Sequence, residues 1–297
     1  MTNVLRKADT PWIDAVAGGP EYLEPAYYDR ILRPYVFSRR TDLNLFHAFL
    51  TESTLPRNAT ILEIGPGTGR ATRVLGRQVG LAQIDFVDQS QRMLNHLQSH
   101  LSSDAGQRFI RSDAVSYLLN SSSTYEFVFS LWSLSHSIHQ NIGRKGEPFG
   151  RTLALYALRK LFGTALRRSG RFFFIHFDST SEEQRISLRQ RSRIETWLAP
   201  GIPSPSQLVI ESALAECAAQ GLIRFRKRHL KGSAIIYSSL DEALEVFMNF
   251  HMEGAFNRRA EFKDVVTEVA QDLSKYRRPD GRIAVKPGCF IYSGVRL

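Results

Sequence analysis

Three glycines and two acids in this sequence stand at spacings suited to holding a nucleoside. The run Ile61-Leu62-Glu63-Ile64-Gly65-Pro66-Gly67-Thr68-Gly69-Arg70 is apolar up to an acid and glycine-rich after it. It reads as a strand turning tightly into a helix, because glycine lets the backbone turn sharply and approach a ligand closely. The spacing is G-x-G-x-G. A dinucleotide fingerprint, G-x-G-x-x-G/A, wants a small residue at position 70, where Arg70 stands. That favours a nucleoside ligand without a pyrophosphate over NAD or FAD. About twenty residues further on, an acid at the tip of a second strand can reach the ribose hydroxyls of such a ligand. Asp88 fills that place in Phe86-Val87-Asp88-Gln89-Ser90-Gln91-Arg92-Met93-Leu94. Both ribose hydroxyls are donors and one carboxylate accepts from both. Asp85 is the rival, but it falls mid-strand. A third acid, Asp113 in Arg111-Ser112-Asp113-Ala114, stands where another strand should end and can accept from an adenine amino group.

Further side chains collect near strand tips, where doubly wound folds place their ligands. Trp132 follows the apolar run Phe127 to Leu131 and reads equally as core or as a ring stacking on a cofactor. His136 and His139 come next, and an imidazole titrating near neutrality can serve as a general base. His136 is the first choice for that role. His176 and Asp178 end the strand from Arg171 to Phe177 and are candidate substrate contacts, as is His139. Tyr28, with Tyr27 and Tyr35, is a candidate contact from a segment that could fold over a ligand.

The elements that must position these groups follow from the pattern of apolar residues. Strands at 61–64, 84–87, 109–111, 127–131 and 171–177 alternate with helices at 71–78, 91–101 and 153–166. Such βαβ alternation argues for a parallel sheet covered on both faces. The region 181–275 is more helical, over 181–197, 206–220 and 240–275, with strands at 222–229 and 289–296 interrupting and closing it. Before the sheet, residues 1–30 are irregular, and 27–50 repeat at helical spacing with a bend expected at Pro34. Residues 1–55 are therefore expected to form a helical arm acting as a lid, and 56–297 one domain with helical cap elements within 181–275.

Composition narrows the class. The chain has 297 residues, 43% hydrophobic and 23% charged, with a formal net charge of +10. The basic residues are spread, with small clusters at Arg39-Arg40, Arg167-Arg168 and Arg224 to Lys231, and form no arginine-rich arm. This argues against nucleic acid as the partner. No apolar stretch approaches the ~18 residues of a membrane span, and the first ten residues lack the apolar core of a secretory signal. Cys217 and Cys289 make neither a disulfide framework nor a metal site, which suits a reducing cytoplasm.

Taken together, the three acid-bearing segments resemble the class I S-adenosylmethionine-dependent methyltransferases, whose pattern is E/D-x-G-x-G-x-G, then D-x-S-x-x-M-L, then D-A after the third strand. The resemblance spans 61 to about 178 and continues weakly beyond. It implies a Rossmann-like, doubly wound, mostly parallel seven-stranded sheet with an antiparallel C-terminal strand and a helical cap. It further implies S-adenosylmethionine as cofactor and S-adenosylhomocysteine as product. Gly65, Gly67 and Gly69 would pass under the methionine part, Asp88 would hold the ribose, Asp113 and Ala114 the adenine, and Met93 would lie against either ring, with Glu63, Pro66 and Gln89 as further cofactor contacts. The strand carrying Ser130 and Trp132 resembles the fourth motif, which lines the methyl-transfer site. It lacks the N/D-P-P-Y pattern of amino-methylating nucleic-acid enzymes. No acidic trio resembles that of the magnesium-dependent catechol methyltransferases, so no metal is expected. The expected activity is methyl transfer to N, O or carboxylate of a small metabolite. The alternatives are an RNA methyltransferase using the basic surface and a non-catalytic partner subunit.

Overall fold

Alternation along one strand explains how the sheet acquires two apolar faces. In Phe172-Phe173-Phe174-Ile175 successive side chains point to opposite sides. Phe173 lies against Phe46 and Phe49, at ring-centroid distances of 5.4 and 4.9 Å. Phe172 and Phe174 pack on Phe162 from the other side. A strand buried on both faces reads as a continuous apolar run, which is the signature of a parallel sheet sandwiched by helices.

The computed structural model describes residues 25–56, 58–76, 83–101, 106–252 and 255–297. The chain falls into two compact units. Residues 39–177, 203–230 and 289–297 form the sheet unit, and the second unit combines the described residues up to Ser38 with 178–202 and 231–288. Residues 1–24 of the expected arm lie outside the described residues.

The elements of the sheet unit, in chain order, are α1 (Asp42–Glu52), β1 (Thr60–Ile64), α2 (Arg70–Leu75), β2 (Gln83–Asp88), α3 (Gln91–His100), β3 (Gln107–Arg111) and α4 (Ala114–Asn120). They continue with β4 (Tyr125–Leu131), α5 (Ser133–Lys145), α6 (Phe149–Lys160), β5 (Leu166–Phe177), α7 (Pro205–Ala219), β6 (Ile223–Lys231) and β7 (Gly288–Arg296). The seven strands are ordered β3-β2-β1-β4-β5-β7-β6. Pairing is parallel from β3 through β5, while β7 runs antiparallel to β5 with Ile291 opposite Ile175. The order reverses between β1, which leads outward to β2, and β4 on its other side. Ligands of doubly wound sheets bind in the crevice at such a switch point, beyond the carboxyl ends of the strands. The basic run from Arg224 to Lys231 forms the edge strand β6, whose cationic side chains are largely exposed. Charge on an exposed strand discourages pairing with another chain.

The second unit consists of helices Pro25–Leu32, Glu182–Arg191, Leu240–Val246 and Phe262–Ser274, with a short antiparallel pair, Ile235–Tyr237 and Ile283–Val285. Arg189 bridges to Asp272 at 2.8 and 3.0 Å, tying two of these helices.

Several elements differ from the sequence expectation for local reasons. The bent helix over 27–50 is instead two helices. The first ends at Leu32, two residues before Pro34, and the second starts afresh at Asp42, where the Thr41 hydroxyl caps the Asn44 N–H at 3.2 Å. The helix expected over 240–275 is also two, because the first closes in a π-helical turn, Phe247–His251, before the second begins at Phe262. β5 starts at Leu166, where the spacing predicts the end of a helix; a π turn over Leu161–Ala165 makes the switch. The strands at 235–237 and 283–285 are three residues each, too short for periodicity to register. Among the described residues no helix is long and apolar enough to cross a membrane.

Candidate functional site

The turn after β1 is built from left-handed backbone. Gly65, Gly67 and Gly69 have φ of 65°, 53° and 77°, a region that costs an L-residue roughly 1–2 kcal/mol. Two of them also have close neighbours, Gly65 against a side-chain root and Gly69 against a side-chain end. A methyl group on Gly65 would lie 2.1 Å from Ser133 Cβ, and one on Gly69 2.5 Å from Leu97 Cδ1. The third is different. Beside Gly67 nothing among the described residues lies within 4 Å of that position, so among them the turn has an open face there.

Asp88, at the carboxyl tip of β2, faces this turn. Its Oδ2 accepts from the Gly67 N–H at 3.4 Å and its Oδ1 from Ser90 N–H at 2.9 Å. Burial pushes its carboxyl up, against the lowering by these backbone donors. Asp85 is spent elsewhere: it pairs with Arg108 and accepts from Tyr117 and Tyr125 at 3.0 and 2.6 Å. Asp85, Arg108 and Tyr125 line a polar groove of about 500 Å³ at the amino-terminal ends of the strands, away from the glycine turn. Gln89 accepts weakly from Arg144 at 3.4 Å, and Met93 is buried in the first turn of α3, which Ser90 caps.

Under the turn lies Glu63, 2% exposed. Thr72 donates to its Oε2 at 2.6 Å. Burial pushes its carboxyl up to about 8, with the neighbouring Asp88 adding to the rise. Asp113 caps α4 by accepting from Ser116 N–H at 2.9 Å, and the Ala114 N–H donates to Ser137 Oγ at 2.9 Å. Ser130 ties β4 to β1 through a 2.9 Å bond to the Ile64 carbonyl and caps Leu134 N–H at 3.1 Å.

Trp132 carries the least expected geometry. Its φ is 73°, in the left-handed region where a bulky side chain is strained. The chain thereby turns abruptly from β4 into α5, and the indole lies on Phe177 at 4.4 Å. Its Nε1–H donates to Asp42 at 2.9 Å. The same Asp42, fully buried, pairs with both terminal nitrogens of Arg70, at 3.0 and 3.1 Å. Ser133 closes the ring of contacts by donating to the Gly65 carbonyl at 3.0 Å. Sequence reasoning missed Asp42, Thr72 and Ser133, and registered Arg70 only as a misfit to another motif. The one available signal was a Thr-Asp pair at a helix start, which ordinarily announces no more than a cap.

The histidines are placed as follows. His136, partly exposed in the first turn of α5, meets Phe177 edge-on at 6.4 Å. His139 and His176 are buried and converge on Ser206: His139 Nε2 accepts from its N–H at 3.4 Å, and His176 Nε2 bonds its hydroxyl at 2.8 Å. In the second unit, Asp178 closes a turn by accepting from Thr180 N–H and hydroxyl at 2.8 and 2.7 Å. Tyr28 packs edge-on against Phe250 at 5.8 Å. That unit also buries an acid which sequence reasoning overlooked, Glu183, bonded by Tyr35 Oη at 2.6 Å and pushed up to about 7 by burial.

An open glycine face, a carboxylate beside it and a buried acid beneath it suit a ligand with a ribose at one end and a cationic amine at the other. Comparisons with known proteins bear on the same segment and on the fold. Residues 61–145 match the family model described as methyltransferase domain. No curated protein matches the sequence. Among solved structures, the YcgJ protein from Bacillus subtilis is similar at 13% identity and TM-score 0.51, over 84% of this chain and 97% of that one. The cyclopropane synthase MmaA2 from Mycobacterium tuberculosis is similar at 14% identity and TM-score 0.48, over 95% of this chain and 99% of that one. Phosphoethanolamine N-methyltransferase 2 from Haemonchus contortus, solved with phosphomonomethylethanolamine and S-adenosylhomocysteine, is similar at 15% identity and TM-score 0.47, over 85% and 52%. At such identities the likeness to solved structures is one of fold. The domain match spans the glycine turn and both following acids, so residues 61–145 carry a methyltransferase domain, set in a Rossmann-like sheet.

Proposed function

We propose that this enzyme binds S-adenosylmethionine on the turn after β1 and methylates N, O or carboxylate of a small molecule. The observation that carries the reading is the open face of Gly67 beside the Asp88 carboxylate. Bound there, the cofactor supplies a methyl group already made electrophilic by its sulfonium. The protein's own part is to hold, orient and exclude water. Gly65, Pro66, Gly67 and Gly69 would lie under the methionine part and Glu63 would face its ammonium group. Asp88 and Gln89 would take the ribose, Asp113, Ala114 and Met93 the adenine end, and Ser130 and Trp132 the wall toward the acceptor.

Calorimetry tests the reading without knowledge of the acceptor. S-adenosylhomocysteine should bind and NAD should not. Asp88→Ala should weaken binding by about 1–3 kcal/mol, the scale of leaving donors without a charged acceptor. If Asp85→Ala has that effect and Asp88→Ala does not, the ribose assignment fails.

His136 is proposed as the base where the acceptor is a hydroxyl or a protonated amine. Its motive is position: it follows Trp132 by about one helical turn and stays partly exposed while His139 and His176 are held by Ser206. His136→Ala should lower kcat by about 10²–10⁴-fold, with cofactor affinity little changed. Wild-type kcat in the variant would assign His136 to packing, leaving positioning alone to carry the rate.

A further inference from the structure

The Asp42 carboxylate has all its accepting capacity filled, and by donors from three different elements. Oδ1 accepts from Leu43 N–H at 2.9 Å and from Arg70 Nη2 at 3.1 Å; Oδ2 accepts from Arg70 Nη1 at 3.0 Å and Trp132 Nε1 at 2.9 Å. Four bonds use the four lone-pair directions of a carboxylate. Asp42 is 0% exposed, and the Arg70 side chain 14%. Taking such a pair out of water costs free energy that good geometry only offsets, so its worth as a stabiliser alone is small. What the pair fixes is position. Arg70 is the first residue of α2, directly after Gly69 of the turn. Trp132 is the last residue before α5, held in a left-handed conformation by the Ile175 carbonyl at 2.9 Å and, through its ring, by Asp42 and Phe177.

We propose that Asp42 is a positioning residue for methyl transfer: it clamps the glycine turn, through Arg70, to the tip of β4, through Trp132. The proposal rests on the reading of this edge as the S-adenosylmethionine site. Asp42 itself touches no reacting atom. It sets the spacing between the surface under the methyl donor and the indole that walls the edge where the methyl group emerges. A displacement of about 1 Å in such a frame costs on the order of a hundredfold in a reaction that depends on orientation. One carboxylate, supplied by the first residue of α1, thus holds both halves of the site.

Asp42→Asn tests this at constant shape. The amide keeps one acceptor oxygen and turns an NH₂ toward donors that already point inward, so at least one tie must open. Its S-adenosylhomocysteine affinity should fall about tenfold to a hundredfold. The Trp132 indole N–H resonance should also shift and lose its protection from exchange. Trp132→Phe, which keeps a ring on Phe177 but removes the donor, should lose affinity too, and the double variant should lose no more than the worse single, because one clamp is broken only once. Wild-type affinity in Asp42→Asn below its melting temperature would overturn the proposal, as would fully additive losses. Should Asp42→Asn fail to fold, Trp132→Phe decides alone: wild-type affinity there overturns the clamp. A wild-type protein that binds no S-adenosylhomocysteine while its indole N–H remains protected would instead overturn the functional reading on which the clamp depends.

Discussion

Gly67→Ala is expected to fold with a small penalty and lose S-adenosylhomocysteine affinity by about 10²–10³-fold, the scale at which slight misplacement disrupts a preorganised site. The two effects separate because the Gly67 position has space but the wrong backbone sign. With φ at 53° and nothing among the described residues within 4 Å of the added methyl, the substitution adds left-handed strain to the fold, of roughly 1–2 kcal/mol. That strain is present with and without ligand and cancels from the binding comparison. The methyl group instead fills the open face beside Gly67, which is where a ligand would lie. Gly65→Ala provides the contrast. Its added methyl would fall 2.1 Å from Ser133 Cβ, which the α5 backbone fixes in place, so it should damage stability as well as binding. Thermal melting and calorimetry on the two variants give a two-by-two result. Gly67→Ala binding at wild-type strength would show that the ligand does not cross the turn at this residue.

The contrast between these glycines also shows what is readable from sequence. The turn, its two acids and the alternation of strands and helices are encoded within short windows, and the sequence expresses them as composition and spacing. The strand order beyond β1 and β2, by comparison, rests on the right-handed crossover habit and the family resemblance rather than on any single residue. The Asp42 clamp leaves no local trace. Its partners lie 28 and 90 positions away, and an acid in the first turn of a helix is already accounted for by the helix dipole. The left-handed Trp132 is equally hidden, because tryptophan gives no warning of positive φ as glycine does. α5 escapes notice for a related reason: Ser133-Leu134-Ser135-His136-Ser137 is rich in residues that favour caps and turns over helix interiors. In the structure those serines bond backward and across, Ser133 to Gly65, Ser135 to Trp132 and Ser137 from Ala114. Tertiary contacts override a weak propensity there. The histidines divide on the same principle. Sequence places His136, His139 and His176 alike near strand tips, and only packing distinguishes the partly exposed His136 from the two rings engaged by Ser206.

Glu63 is expected to make both stability and cofactor binding depend on pH in a way that Glu63→Gln removes. Burial raises its carboxyl from 4.5 to about 8, with Thr72 and Arg73 only partly opposing the rise. A raised folded-state value means the fold favours the protonated acid. The corresponding stability is fully present below about pH 4.5 and is lost as pH climbs through about 8. The total loss is on the order of 5 kcal/mol by pH 9, at about 1.4 kcal/mol for each tenfold change in proton affinity. Glu63→Gln keeps an acceptor for the Thr72 hydroxyl and carries no charge, so its melting temperature should fall less steeply than wild type across that range, where Glu183 still titrates, and should exceed wild type at pH 9. Binding reverses the preference. A cationic amine beside Glu63 favours the carboxylate, so at pH 7, where the buried acid is mostly protonated, ligand binding should expel about one proton. Calorimetry of S-adenosylhomocysteine in buffers of different ionisation enthalpy measures that proton directly. Comparison with Glu63→Gln removes any contribution from the ligand's own amine. The released proton should be smaller in the variant by about the amount assigned to Glu63. Equal proton release in the two proteins, with parallel melting curves against pH, would mean that Glu63 neither titrates in this range nor faces the ligand's charge.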